Sequence, residues 1–186
     1  MAGDVVDLIM NDHREVERLF DELMDEPGKR PNLVPVLTTL LTAHSRAEEA
    51  EVYPVAADEA GESEEVAHSQ EEHVEADELL AKLAATDPTS PDFDAVLREL
   101  VDAVTHHVEE EESDLLPGIR EGLSVERLDE LAEAFLAVRA SHLGTEAGEL
   151  SRSELNVMAE NLGLEGTASM SKDKLQSEVE SHAEEE

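Results

Sequence analysis

The sequence predicts an all-α protein built on an up-down-up-down four-helix bundle, and three observations carry that prediction. Apolar residues recur with the 3.6-residue period of an amphipathic helix over four long stretches. The breaks between these stretches are short and rich in Pro, Gly and polar residues, which makes neighbouring helices antiparallel. One histidine interrupts the apolar stripe near the middle of each stretch.

The first helix opens after Asp4, a side chain suited to an N-cap, and turns Val6, Ile9, His13, Val16 and Phe20 inward. Pro27, Gly28 and Pro31 break it. The second runs over residues 33–57, with Leu37, Leu41, His44, Ala47 and Glu48 on its buried side; Pro35 is acceptable because it lies in the first turn. Gly61 closes it. The third covers 64–85, a turn follows at 87–91, and the fourth covers 93–116. A fifth amphipathic helix, 125–143, is expected against the outside or end of the bundle, completing a domain over residues 1–144. Residues 145–186 read as a small helix-loop-helix module. Ser151 and Glu154 form a capping box that opens a short helix through Leu162, a second short helix spans 171–182, and 184–186 is a frayed terminus.

Composition narrows the function. The 186 residues suit one compact domain with a small appendage. Cysteine is absent, which excludes disulfides, thiolate zinc sites and iron-sulfur clusters and leaves nitrogen and oxygen donors for any metal. Against 48 Asp and Glu stand 13 Lys and Arg, a net charge of -35 that repels nucleic acid and anionic lipid. No apolar run reaches the roughly 20 residues of a membrane span, and no basic segment precedes an apolar core at the N-terminus, so a cytoplasmic location is expected. High charge with few aromatics is a signature of disorder, but helical apolar spacing argues for a fold. The acidity reads better as halophilic adaptation to multimolar salt, where the Debye length shrinks to about 3 Å. Only four of the basic residues are lysines, a composition resembling that of extremely halophilic archaea.

Each of the four stripe histidines is followed four residues later by a carboxylate: His13 with Glu17, His44 with Glu48, His73 with Asp77, His107 with Glu111. Residues at i and i+4 share a helix face, and the spacing of the histidines brings them to one level of an up-down bundle. A single histidine on an apolar face is more often a hydrogen-bonded core residue than a ligand. Four at one depth exceed what a core offers as partners, and a metal satisfies them together. His106 points to a helix flank or stands behind a ligand, while His68, His142 and His182 read as surface residues. Glu17 and Glu49 read as solvated groups or as partners of metal-bound imidazoles.

Two segments carry the same motif. His44-Ser-Arg-Ala-Glu48-Glu49 leads to Tyr53-Pro54, and His107-Val-Glu-Glu-Glu111-Glu112 leads to Leu116-Pro117. With Asn-Asp-His13 and Glu-Glu-His73, these segments resemble the hemerythrin HHE cation-binding family over about residues 4–118. The resemblance implies two non-haem iron ions bridged by oxygen and carboxylates, with His13, His44, Glu48, His73, His107 and Glu111 as ligands. Asp77 stands where oxygen-carrying members of the family have a histidine, so it either binds iron or accepts a hydrogen bond behind a ligand; in both cases the ferric state is expected to gain. The tail, Leu-Ser-Arg-Ser-Glu154-Leu155 through Met170-Ser-Lys172-Asp-Lys174-Leu175, resembles the helix-loop-helix module at the N-terminus of transcription termination factor Rho.

Three uses follow. The site binds or senses oxygen, nitric oxide or iron supply; or it is an enzyme acting on peroxide or a reactive nitrogen species; or the bundle is a scaffold whose tail recruits a protein or, less readily given its few cations, nucleic acid.

Overall fold

A computed structural model describes residues 3–144 and 150–183, so the expected frayed end at 184–186 lies outside the described residues. The regular structure among these residues is all helical, with no strand, and none of their helices is long and apolar enough to cross a membrane. Helix α1 (Val5–Asp25) opens on Asp4, whose carboxylate accepts the Asp7 N–H at 3.0 Å. Helix α2 occupies residues 30–60. It is α-helical over Arg30–Ala47 and then widens into i→i+5 turns at Glu48–Val52 and Ala56–Ala60, before and after Tyr53–Val55. Gly61, at φ 85°, ends it in the left-handed conformation that glycine adopts without steric cost. Helix α3 is Ser63–Ala85. Helix α4, residues 93–122, joins Phe93–Glu110, a wide turn at Glu111–Leu115, and Leu116–Gly122. Helix α5 is Val125–Ser141, α6 is Arg152–Asn161 and α7 is Lys172–Ala183.

Helix α4 outruns the expected 93–116 for a physical reason, and α2, expected over 33–57, passes Pro54 by the same device and ends at Ala60. Proline normally ends a helix because it lacks an N–H and crowds the preceding turn. Pro54 and Pro117 each follow a wide turn where the hydrogen-bond ladder is already reset: Tyr53 N–H reaches back to Glu48 O, and Leu116 N–H to Glu111 O. The helices therefore pass through both prolines.

The core is layered. Leu19, Leu23, Leu37, Leu80, Leu97 and Leu100 fill one end of the bundle, while Ile9, Val52, Val66, Leu116 and Ile119 fill the other with Leu128, Leu131 and Phe135 of α5. The four stripe histidines lie buried between these layers. At the first end Arg30 donates to Leu23 O (3.0 Å) and Asp94 (2.7 Å) and lies 4.7 Å over the Phe93 ring.

Helix α5 lies along α1 and α2 beside the histidine layer rather than out at the bundle's end. The tail helices also dock, since Leu155, Met158, Leu175 and Val179 form a small core with Val74 of α3. Each such side chain contributes roughly 1.5–3 kcal/mol on burial. The expected capping box is present, with Glu154 N donating to Ser151 Oγ (3.2 Å) and Ser151 N to the Glu154 carboxylate (2.6 Å).

Candidate metal centre

The bundle brings His13, His44, Glu48, His73, His107 and Glu111 together in its core, each at most 6 % exposed. His13 Nε2 stands 3.2 Å from Glu111 Oε2, and His44 Nε2 3.1 Å from Glu48 Oε2. On the other side His73 Nε2 lies 3.4 Å from Glu48 Oε2 and 3.1 Å from His107 Nε2, with His107 Nε2 4.0 Å from Glu111 Oε2. The donors fall into two groups, His13–His44–Glu48 and Glu48–His73–His107, with ligating atoms within 4.8 Å of one another and Glu48 in both.

Each imidazole is oriented by a carboxylate behind it. Nδ1 of His13 meets Glu112 at 2.9 Å, that of His73 meets Glu49 at 3.3 Å, that of His107 meets Glu72 at 2.8 Å, and that of His44 faces Asp12 at 3.5 Å. A carboxylate on Nδ1 fixes the tautomer that offers Nε2 as a metal ligand. Arg139 of α5 grips Asp12 at 2.6 and 2.9 Å, and Phe135 packs edge-on against His44 at 6.1 Å. Thus α5 supports the site from the side.

Adjacent glutamates are both covered because α2 is enclosed on every side at this level: residues 41–49 are buried without a break, with α5 and the tail packed on the outside. Glu48 and Glu49 are 0 % and 2 % exposed. Glu48 faces the histidines, while Glu49 takes Arg46 Nη1 (2.7 Å) and Gln70 Nε2 (3.0 Å). Buried Arg46 also pairs with Asp77. Asp77 therefore spends its charge on a guanidinium, and the expected iron contact, or hydrogen bond behind an iron ligand, gives way to this ion pair. Arg46 lay outside the sequence reading, because its pairing with Asp77 joins two helices.

Tyr53, fully buried, places its hydroxyl 3.0 Å from His73 Nε2 and 3.5 Å from Glu111 Oε1. Glu17 remains outside, paired with Arg14 at 2.5 Å. His68 and His106 are more than half exposed, and His182 partly so. His142 departs from the surface reading: it is half-buried, 3.2 Å from Glu154, because the tail folds back over it.

Electrostatics mark the site as strained without a cation. Burial and the nearby Glu111 charge push Glu48 up, whereas burial of Glu111 is outweighed by His13 and His107, which hold it well below the usual carboxylate range. Burial disfavours charge on His44, yet Glu48 and Asp12 raise it to about 10. Burial and the neighbouring His107 drive His73 well below its ordinary value. Two buried carboxylates this close cannot both ionise cheaply, and four imidazoles beside them cannot all protonate. His13 Nε2, both Glu48 oxygens and Glu111 Oε2 have no hydrogen-bond partner among the described residues. Orphaned, convergent nitrogen and oxygen atoms fit a metal, because cations with these donors satisfy them at once.

The chain matches the Hemerythrin HHE cation binding domain over residues 4–119. It belongs to the hemerythrin HHE cation-binding family. The tail's resemblance to Rho lies outside the matched region. A curated relative from Nostoc sp. (strain PCC 7120), described as a "DNA nickase", is 34% identical over 139 residues. That alignment covers 74% of this chain but only 39% of the relative. No solved structure matches the chain.

Proposed function

We propose that His13, His44, Glu48, His73, His107 and Glu111 hold two non-haem iron ions, and that the chain uses them to bind or sense oxygen, nitric oxide or iron supply. The observation that carries this reading is the set of four buried imidazoles, each tethered or faced at Nδ1 by a carboxylate while Nε2 converges on Glu48 and Glu111. A bound iron pair supplies redox-active positions for a small exogenous ligand. The protein's own part is to hold the imidazoles in one tautomer, exclude water between two apolar layers, and place the buried Tyr53 hydroxyl 3.0 Å from His73 Nε2 and 3.5 Å from Glu111 Oε1. Val16, Leu41, Ala76, Val104 and Val108 wall a cavity of about 10 Å³ beside the imidazoles. It has room for about one water molecule, which favours a diatomic ligand over a larger substrate.

Metal analysis, with an optical spectrum of the reduced protein before and after oxygen exposure, tests this reading. Two irons per chain and an oxygen-dependent spectrum are expected; one zinc and no iron would overturn it.

An enzyme acting on peroxide is favoured by a separate observation, a cleft of about 290 Å³ lined by Glu111 together with His68, Ser69 and Glu110. Turnover with peroxide and nitric oxide separates enzyme from sensor. The relative's name raises a third possibility, DNA cleavage, which a plasmid-nicking assay of the iron-loaded protein addresses. The charge of -35 disfavours it, and Arg152 in the tail is engaged by the Met170 and Ala168 carbonyls. The same charge supports work in concentrated salt, for which melting temperature should rise from low to multimolar potassium chloride.

A further inference from the structure

A second constellation of metal-ligating side chains sits on the surface where α3 and α4 run side by side. His68 Nε2 lies 2.8 Å from Glu110 Oε2 and 3.9 Å from Glu72 Oε1. From the other side, His106 Nε2 lies 3.3 Å from Glu110 Oε1 and 3.9 Å from Glu72 Oε1. Two imidazoles and two carboxylates thus face one another across the helix pair, and the ligating atoms of His68, Glu72 and Glu110 fall within 4.8 Å. On so acidic a surface, ion pairing alone would account for a histidine beside a glutamate.

Two observations go further than pairing. Glu72 faces both ways: Oε1 looks to the surface histidines, while Oε2 accepts from Nδ1 of His107 at 2.8 Å. One carboxylate therefore links the surface set to the buried one. In addition, His68 and Glu110 line the 290 Å³ cleft, and so does Glu111. Glu111 is 1 % exposed and its Oε2 has no hydrogen-bond partner. A buried carboxylate lining a cleft that His68 and Glu110 also line, with His106 and Glu72 within 4 Å of that pair, is an arrangement for drawing in a cation.

We infer that His68, His106, Glu72 and Glu110 form a second divalent-cation site, through which iron reaches the buried centre. The inference rests on the iron reading above. Imidazole with carboxylate suits divalent iron and zinc, and the exposure of both histidines leaves positions for water on an ion still shedding its hydration shell. The net charge of -35 concentrates cations around the molecule, and a cleft focuses that field.

The test uses the full chain, and His68→Asn/His106→Asn as a variant that keeps polar side chains at the surface. Zinc is titrated calorimetrically into iron-loaded protein in molar potassium chloride, which suppresses diffuse binding to surface acids. One further zinc per chain is expected in the natural protein and none in the variant. Ferrous iron is then mixed with metal-free protein and incorporation is followed optically. The variant should load about tenfold more slowly, at the low end of what focused charge gives an on-rate, yet reach the same final iron content. Equal zinc binding by the two proteins, or equal loading rates, would overturn the proposal. Should the natural protein take up no iron, the iron reading has failed, and the zinc count alone decides: a zinc lost in the variant upholds the surface site, and no loss overturns it.

Discussion

The repeated His-x3-Glu-Glu motif occurs once in α2 and once in α4, and the two copies live in opposite surroundings. In α2, Glu49 is sealed beneath Arg46, Gln70 and the tail, whose Asn161 donates to Glu49 O (3.1 Å) and Gln70 Oε1 (2.9 Å). In α4 the equivalent Glu112 keeps 21 % of its side chain exposed and pairs with Arg14, itself half in solvent. Tyr53 closes the first copy over His73, where Leu116 merely joins the apolar layer in the second. The same motif therefore makes one half of the centre dry and braced and leaves the other within reach of water. What decides the difference is the helix packed outside each copy.

The largest expected effect removes that difference altogether. Glu48 is common to both donor groups, so Glu48→Ala should abolish iron binding by both halves, read as loss of iron in metal analysis. Next, Arg46→Met strands the buried charges of Glu49 and Asp77 and should cost about 3–5 kcal/mol in denaturant unfolding, the range for breaking a buried ion pair. Its counterpart on the open half, Arg14→Ala, should cost no more than about 1 kcal/mol. If the two losses are equal, the contrast between closed and open halves is wrong. Asn161→Ala falls between them, at about 1–3 kcal/mol, because it leaves a buried carbonyl and amide oxygen unpaired.

The smallest effect concerns pH and the tail. Burial would raise the Glu154 pKa, but hydrogen bonds from Ser151, with the charge of Arg46, hold it below its ordinary 4.5. The sign follows: the folded protein keeps Glu154 ionised more readily than the unfolded chain, so its contribution is present above pH 4.5 and is lost as the pH falls through the lower folded value. Protease cleavage of the tail in molar salt should rise over that window, and Glu154→Gln should flatten the dependence.

Much of this was legible in the sequence because it is written locally. Helical period, the Asp4 cap, the Ser151–Glu154 box and the depth of four histidines need only neighbours along one helix. The unread parts join distant segments. Arg46 sits two residues past His44 on a stretch that looks like any charged turn, and its pairing with Asp77 spans 31 positions. Arg139 reaches Asp12 across 127, and Asn161 reaches Glu49 across 112. Tyr53 could have been weighed more heavily, since its copy in α4 is an aliphatic residue and a lone tyrosine in a core needs a hydroxyl partner. Pro117 misled for the opposite reason, because local rules stop a helix where the wide turn lets it continue.

Those wide turns work as a phase shift in the helical register. Each rotates everything downstream relative to the histidines. Pro54 also leaves the Glu49 carbonyl without a ladder donor, the gap that Asn161 fills from the tail. Length in this protein is therefore not interchangeable with spacing: deleting Ala50 alone would remove the first wide turn of α2, leave the one at Ala56–Ala60, and swing Tyr53 off His73. The resulting chain should still form helices while mistuning the centre, so alignments that absorb a one-residue gap at this point would conceal a change of chemistry.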